Sequence, residues 1–429
     1  MADDRFYVKT LRMQNFRCFE DVELGPFDPH FNLLVGENGA GKSSVLAALT
    51  QTFQFIVAAF LRKPIEELVN YRESREPNKY IRANQRTAGA IEFLATFSWK
   101  NEERSYRAGV DSVCAYNLPA DGDSGFLSSI RDESYPLLSV FTTARKFGRS
   151  ILTTVDLETS RFPQRKDAFF EWNNVGQAAD ELVRWVRDER LIELERNGEN
   201  LQSSEPNTSL GLVRNSCKEA IAAAEDFSYS GSQRDILVTF HNGQKIPFSN
   251  MSDGQRAFVG IVAEVARRMI VLNGPILGAN CLAETSGLVL IDEIDLHLHP
   301  KWQRDIVPAL KRIFPKIQFF ATTHSPQVIG EAKPEEIVLL TPQGQKRPSG
   351  SFGMDSNWIL ECVMEAEGRD PEIGKRIKSL FDLIEGDRLD EAKAEIRKLR
   401  EQLPAFAPDI VSAEAYIWNL EHGADEAAE

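Results

Sequence analysis

Apolar and polar positions alternate along FYVKTLRM (6–13) and FRCFEDVEL (16–24), and this period of two predicts a β-hairpin over residues 6–24. FNLLV (31–35) is apolar throughout, as a strand buried on both faces should be. The run SVLAALTQTFQFIVAAFL (44–61) is apolar almost all round and predicts a helix with no solvent face. AIEFLATFSW (90–99) returns to strand character. From about 150 to 235 the pattern is polar and helical, clearest in WNNVGQAADELVRWVRDERLIELERN (172–197). No sustained heptads appear there, so a long coiled-coil arm is not expected. Between 236 and 345 helices and strands alternate: helix 253–272, strand GLVLI (287–291), helix PKWQRDIVPALKRIF (300–314), and strands IQFFA (317–321) and EIVLL (336–340). Such alternation predicts a parallel sheet covered by helices. From DSNWILECVM (355–364) onward the chain reads as a charged helical tail.

Composition narrows the class. With 429 residues, 42% hydrophobic and 27% charged, the chain is long enough for two or three domains around ordinary globular cores. Cysteines at 18, 114, 217, 281 and 362 form no CxxC pair, so neither a zinc site nor a disulfide framework is expected, and a reduced cytoplasmic setting fits. MADDRFYVKT is charged from its third residue, unlike a secretory leader, and the apolar stretch at 53–61 reads as too short to span a bilayer. A formal charge of −14 argues against a protein that coats duplex nucleic acid. The charge is uneven, however: residues 355–429 hold 19 acidic against 9 basic residues. The sign reverses at 145–166, where Arg145, Lys146, Arg149, Arg161, Arg165 and Lys166 face two acids. That stretch reads first as a solvated face and only secondarily as a nucleic-acid contact.

Candidate chemistry begins at LLVGENGAGKSSVL (33–46), where strand, Gly36-x-x-x-x-Gly41-Lys42-Ser43 and helix follow in the order a phosphate-binding loop requires. The glycines, Gly39 among them, let successive N–H groups of the loop, including that of Asn38, wrap a phosphate. Lys42 places a point charge between the β- and γ-phosphates, and the Ser43 hydroxyl can serve Mg²⁺. GLVLIDEIDLHLHPKWQ (287–303) ends an apolar strand in Asp292 and Glu293, a doubled carboxylate that needs a cation or a proton to handle. Asp292 is the expected Mg²⁺ partner and Glu293 the general base. Asp295, His297 and His299 alternate, but without a third soft ligand nearby a transition-metal site is disfavoured. IQFFATTHSPQVI (317–329) places His324 at another strand end, where it could sense a γ-phosphate. NMSDGQRAFVGIV (250–262) adds a second polar, Gly-containing loop at a helix start.

Phosphate loop, Ser252-x-Gly254-Gln255, Asp292-Glu293 and Thr322-Thr323-His324-Ser325, in that order, resemble the ATP-binding-cassette ATPases, and within them the soluble RecF, RecN and SMC branch. The resemblance covers residues 6 to about 340. It implies an α/β fold with a parallel-sheet core, an antiparallel N-terminal subdomain, a short helical insertion and a C-terminal helical tail. The chain divides accordingly into an N-terminal ATPase lobe with the phosphate loop (1–149), the helical insertion (150–235), a C-terminal ATPase lobe with the Ser252 loop, the acidic pair and His324 (236–345), and the acidic helical tail (346–429). The resemblance further implies ATP and Mg²⁺ as cofactors, Ser44 at the loop's exit, and a head-to-head dimer, or a higher even assembly of such dimers, in which Ser252, Gly254 and Gln255 cap ATP held by a second copy. QNFRCFED (14–21) resembles the family's first hairpin and implies a place for Arg17 by the nucleotide base, and NQRTAGAIEF (84–93) resembles the strand of RecF-like proteins that follows the first helix. Two departures are visible: Asp253 replaces a commoner glycine, and His299 stands where many members carry Asp, which puts communication between paired sites in doubt. The family's glutamine loop is best sought in LLSVFTTARKF (137–147).

SDGQR, IDEIDLHLHPKWQ, IQFFATTHSPQVI and DSNWILECVM with a short acidic tail look most like the PtuA-like (Septu and retron-associated) anti-phage ATPases. That likeness implies a cytoplasmic ATPase, slow or switch-like in turnover, working beside a separately encoded nuclease, with nucleic acid reached through the complex and no membrane. The alternative is a RecF- or SMC-like repair ATPase that clamps DNA; the acidic balance and the missing coiled coil count against it. A nuclease fused to the same chain is not expected, because only about 85 residues follow the last core strand and they carry no acidic catalytic cluster. A transporter ATPase is disfavoured by the Arg-bearing hairpin and the helical insert. The acidic tail reads either as a helical cap or as a surface for a basic partner.

Overall fold

The alternation at the N-terminus forms a hairpin, β1 (Tyr7–Phe16) and β2 (Phe19–Leu24), closed at Phe16↔Phe19 over the two residues Arg17 and Cys18. The computed structural model describes residues 4–61, 91–110, 115–119, 134–145, 164–173, 175, 179–197, 207–221, 223–341, 344–366, 370–404 and 406–422. Next come β3 (Phe31–Val35), α1 (Lys42–Leu61), β4 (Ile91–Trp99), β5 (Glu102–Val110), β6 (Ala115–Pro119) and β7 (Leu137–Phe141). They are followed by α2 (Ala179–Asn197), α3 (Ser209–Ala220), β8 (Ala224–Ser230), β9 (Asp235–Phe240), β10 (Lys245–Pro247) and α4 (Asp253–Leu277). The larger unit continues with β11 (Gly287–Ile291), α5 (Pro300–Ile313), β12 (Ile317–Thr322), α6 (Pro326–Gly330), β13 (Ile337–Thr341) and β14 (Gly344–Lys346).

Contacts divide the chain into two compact units, Met1–Ile359 and Leu360–Glu429. In the first, β13, β3, β12, β11 and β7 lie parallel, with β14 antiparallel at the edge, in the order β14-β13-β3-β12-β11-β7. The predicted parallel sheet is present, and β3, β7, β11 and β12 are buried along their whole length. An antiparallel sheet, β2-β1-β4-β5-β6, stands against it. The buried Gln318 on β12 ties the two together: its Oε1 accepts from Val8 N–H at 2.7 Å, while its Nε2 donates to the carbonyls of Val8 and Asp28 at 3.0 and 2.8 Å.

Helix α1 packs against both sheets. Its Phe53 meets Phe6 and Phe97 edge-on at 5.7 Å, which accounts for the apolar residues all round this helix. By length and composition alone α1 could cross a membrane, a point the sequence reading of 53–61 understated; in the fold it is a core helix.

Two further differences have plain causes. The helical pattern expected to 235 gives way at 224–230 to β8, which pairs with β9 and through it with β10. AEDFSYS buries only Ala224 and Phe227, so little alternation is visible before its partner is known. The helix expected from Trp172 begins at Ala179, and α4 runs to Leu277, with Pro275 inside its last turn.

The basic stretch is not a single solvated face. Arg145 is 6% exposed, and Arg165 donates from Nε to Leu272 O while lying over the Phe60 ring at 5.4 Å. Lys166 is exposed, and Lys146, Arg149 and Arg161 lie outside the described residues. The buried Arg268 of α4 donates to Ala168 O and Phe170 O at 2.7 and 2.6 Å and to Glu264 at 2.9 Å. Arg267 adds two bonds to the same carboxylate at 2.8 and 2.7 Å. The segment so held clasps β7, since Val140 N–H donates to Trp172 O at 2.7 Å and Val175 N–H to Val140 O at 2.8 Å.

The second unit holds α7 (Pro371–Glu385), α8 (Leu389–Arg400) and α9 (Pro408–His422) around a core that includes Leu380, Ala392, Leu399 and Ile410. Asp370 caps α7, and the ion pairs Arg376–Glu395 at 2.7 Å and Arg400–Glu414 at 2.7 Å join the helices. The acidic tail therefore has a core of its own.

Removing one member of the buried Glu264–Arg267–Arg268 group leaves charge without its partner, which typically costs about 3–5 kcal/mol. Glu264→Gln should therefore lower the unfolding temperature of the larger unit by several degrees in a calorimetric scan. Burial pushes the Glu264 carboxyl up, and the two guanidiniums more than offset this, leaving it below its ordinary value. Its contribution is thus complete above the unfolded carboxylate value of about 4.3 and lost as pH falls through the lower folded one. A variant that melted like wild type at neutral pH would refute this account of the group.

Candidate active site

The order of the parallel strands decides the site. Strand β12, which leads to His324, lies between β3, which feeds the phosphate loop, and β11, which leads to Asp292-Glu293, so the three C-terminal ends meet. This is where open parallel sheets bind ligands, since the chain leaves each strand end in loops. At the start of α1, Ser44 N–H and Val45 N–H both donate to Gly41 O, at 2.9 and 3.0 Å. Gly41 has φ +96°, and a Cβ there would lie 2.4 Å from the Phe19 ring and 2.7 Å from Cys18 Sγ. Only glycine allows the hairpin turn to cover the loop so closely.

Lys42 donates to Gly36 O at 2.8 Å and Glu37 O at 2.9 Å. Burial pulls its ammonium below the ordinary lysine value, partly opposed by the carboxylates of Asp292 and Glu293. Asn38 and Gly39 form the exposed outer turn of the loop, with Gly39 at φ +86°. Arg17, at φ +52° in the hairpin turn, reaches Ser44 Oγ at 3.5 Å and lies over the Phe16 ring at 5.1 Å. The structure thus puts Arg17 at the phosphate-loop end of α1.

Ser43 and Asp292, 249 positions apart, converge: the Ser43 hydroxyl stands 3.3 Å from both carboxylate oxygens. Two hard oxygen donors side by side suit Mg²⁺. Among the described residues no three His, Cys, Asp or Glu side chains come together. Asp295 accepts from Thr323 Oγ1 at 2.5 Å, and His299 caps α5 by accepting from Lys301 N–H at 3.3 Å, so these two side chains have separate structural partners.

The Thr322 hydroxyl organises the acidic pair. It donates to Asp292 Oδ1 at 2.6 Å and accepts the Glu293 N–H at 2.6 Å. Glu293 itself adopts φ +48°, uncommon for a residue with a side chain, and so turns the chain out of β11 at the point where its carboxylate is displayed. His324 follows at the surface. Ser325, next in the chain, caps α6 and donates to Gln303 Oε1 at 2.7 Å.

At the head of α4, Ser252 and Gln255 are bonded to each other. Gln255 N–H donates to Ser252 Oγ at 3.3 Å and Ser252 N–H to Gln255 Oε1 at 3.1 Å, a capping box with Ser252 exposed. Gly254 is buried, and a Cβ on it would fall 2.3 Å from the backbone oxygen of His297. Only glycine lets the head of α4 rest on the loop that follows Glu293. Asp253, the departure from the commoner glycine, pairs at the surface with Arg256.

Arg145, grouped by the sequence reading with a basic surface, lies behind the Asp-Glu pair instead. Its Nη1 donates to Thr142 O at 3.2 Å and to Asp292 O, and its Nη2 donates to Glu293 O. This is the region in which the glutamine loop was sought. A lone arginine after an apolar strand carries no sequence signal of burial.

Residues 31–330 match the family described as "AAA domain, putative AbiEii toxin, Type IV TA system". The chain belongs to this family. It is also similar to the protein named "Retron Ec83 probable ATPase" from Escherichia coli, at 28% identity over 94% of this chain and 84% of that one. The protein named "Septu protein PtuA" from Bacillus thuringiensis matches at 24% identity over 83% of each chain. Both alignments accord with the resemblance read from the motifs. Among solved structures, the SMC head domain from Thermotoga maritima aligns with a TM-score of 0.45 at 15% identity, over 78% of this chain and 94% of that one.

Thr322→Val keeps the shape of the side chain but strips Asp292 of a donor and leaves the Glu293 N–H without an acceptor. Leaving such groups unpaired costs about 1–3 kcal/mol. Magnesium-dependent ATP turnover should drop at least several-fold, while the melting temperature falls by no more than a few degrees. Wild-type turnover in a folded variant would show that this hydroxyl does not organise the pair.

Proposed function

We propose that this protein is an ATPase of a bacterial anti-phage defence system, active in the cytoplasm as a nucleotide-dependent dimer that controls a separately encoded nuclease. The convergence of Ser43 and Asp292 at 3.3 Å, with Glu293 next in the chain, carries the enzymatic part of this reading. Mg²⁺ held by Ser43 and Asp292 would supply positive charge to offset that of the phosphates. The N–H groups of the Gly36–Ser44 loop bind phosphate oxygens, and Lys42 moves its ammonium from the Gly36 and Glu37 carbonyls to them. Glu293 takes a proton from the attacking water, and His324 contacts the γ-phosphate. Ser252, Gly254 and Gln255 serve ATP bound by the second copy, with Gln255 and Ser252 kept in place by their mutual bonds. Similarity to the retron and Septu proteins supports the defensive setting.

The partner is assigned to the tail. Residues 355–429 are strongly acidic, and α9 with the turn before it exposes Phe406, Tyr416, Trp418 and Leu420, Phe406 to 81%. Apolar side chains exposed in an acidic field suit a basic protein surface, with docking that weakens as salt rises.

Each element has its own test. Glu293→Gln should bind ATP yet turn it over about 10²–10⁴-fold more slowly, the usual effect of losing a well-placed base. Lys42→Ala should lose nucleotide binding. Subunits carrying Lys42→Ala and subunits carrying Ser252→Arg, each inactive alone, should recover activity on mixing, because a heterodimer rebuilds one intact composite site. Proven heterodimers without activity would rule out the shared site. Deleting residues 360–429 should leave ATP binding intact and abolish salt-sensitive co-purification with the product of an adjacent nuclease gene. Capture of that product by the truncated chain would remove the tail from the account.

A further inference from the structure

We infer that Arg145 is a positioning residue for the hydrolytic base, holding the backbone turn that aims Glu293. The inference rests on the reading of Glu293 as that base. A left-handed residue with a side chain persists only where its surroundings hold it there, and Glu293, at φ +48°, is such a residue at the end of β11. Leu296 N–H donates to Glu293 O at 2.9 Å, and two side chains add to that hold. On one side the Thr322 hydroxyl accepts the Glu293 N–H at 2.6 Å. On the other, Arg145 spends one arm of its guanidinium on Asp292 O and the other on Glu293 O. The two carbonyls flanking the turn are thus gathered by one planar fork, a geometry that arginine offers and the point charge of lysine does not.

Arg145 is itself fixed. Its Nη1 also donates to Thr142 O at 3.2 Å, and it is 6% exposed. The β7 strand that leads to it is clasped at Val140 by Trp172 and Val175, in the segment that Arg268 binds to α4. Burial pulls the guanidinium down to about 10, against the opposing field of Asp292, Glu293 and Asp295, so the group is charged throughout the physiological range. A cation behind two backbone carbonyls touches no reacting atom. It sets the direction of the carboxylate beyond them, and a misplacement of about 1 Å in such a group can cost about 10²-fold in rate.

The full-length protein tests this through four forms: wild type, Glu293→Gln, Arg145→Met and Arg145→Lys. Each is measured for steady-state ATP turnover, equilibrium binding of a fluorescent ATP analogue with Mg²⁺, and melting temperature. Arg145→Met should bind the analogue with wild-type affinity while kcat falls about 10²-fold. Arg145→Lys should fall between it and wild type. Free guanidinium ion, well below denaturing concentrations, should restore part of the rate to Arg145→Met and none to Glu293→Gln. Wild-type kcat in Arg145→Met overturns the inference. So does a parallel loss of rate and affinity with no guanidinium rescue, which marks a purely structural bolt. If Arg145→Met fails to fold, wild-type kcat in a folded Arg145→Lys overturns it equally. Normal turnover by Glu293→Gln would instead overturn the assignment of the base, and the inference with it.

Discussion

One hydroxyl stands at the centre of this molecule. Thr322, the last residue of β12, donates to Asp292 and accepts from the backbone of Glu293, each at 2.6 Å, and so joins the ends of two neighbouring strands. The bond is available only because β12 runs parallel to β11, in a register that brings Ile291 opposite Ala321. The same strand pairs on its other side with β3, which sends Lys42 and Ser43 into the same space. A one-residue slip of any of these strands would reverse every side chain and dissolve the cluster. Burial along the full length of β3, β11 and β12 opposes that slip, and Gln318 holds β12 against β1.

From this cluster, rigid contacts lead outward. Arg145 carries it to β7, the clasp at Val140 carries it to the segment around Phe169, and Arg268 carries it to α4. The head of α4, with Ser252 and Gln255 on its surface, rests through Gly254 on the loop after Glu293. The loop proposed to meet a second copy and the proposed base therefore belong to one connected scaffold. A dimer contact at Ser252 would press on the loop just beyond Glu293, which gives the proposed dependence of hydrolysis on association a physical route.

Much of this was legible in the amino-acid order. β1, β3, β4, β11, β12 and β13 are marked by alternation or by continuous apolar runs, because their buried faces require it. The candidate phosphate loop stood out because its glycine, lysine and serine spacing falls between a strand and a helix. What escaped notice depends on pairing instead of pattern. β5, EERSYRAGV, is too polar to announce itself, and β8 buries too few side chains to show a period. Arg145 and Arg165 read as surface charge because nothing local says that a carbonyl lies waiting for them. The need for Gly254 was invisible as well: it comes from His297, 43 positions later, pressing a carbonyl against it. The π-helical turn at Ile359–Val363, where one unit gives way to the other, left no mark that we can trace in the sequence.

The central claim is that the acidic strand end, the phosphate loop and the serine loop form a working site only when two copies meet. Specific ATPase activity as a function of protein concentration tests this most directly, with sedimentation recording the fraction of dimer at each point. The account predicts specific activity that rises with concentration in proportion to the dimer and levels off once dimers saturate. Specific activity that stayed constant down to concentrations at which only monomers sediment would contradict it.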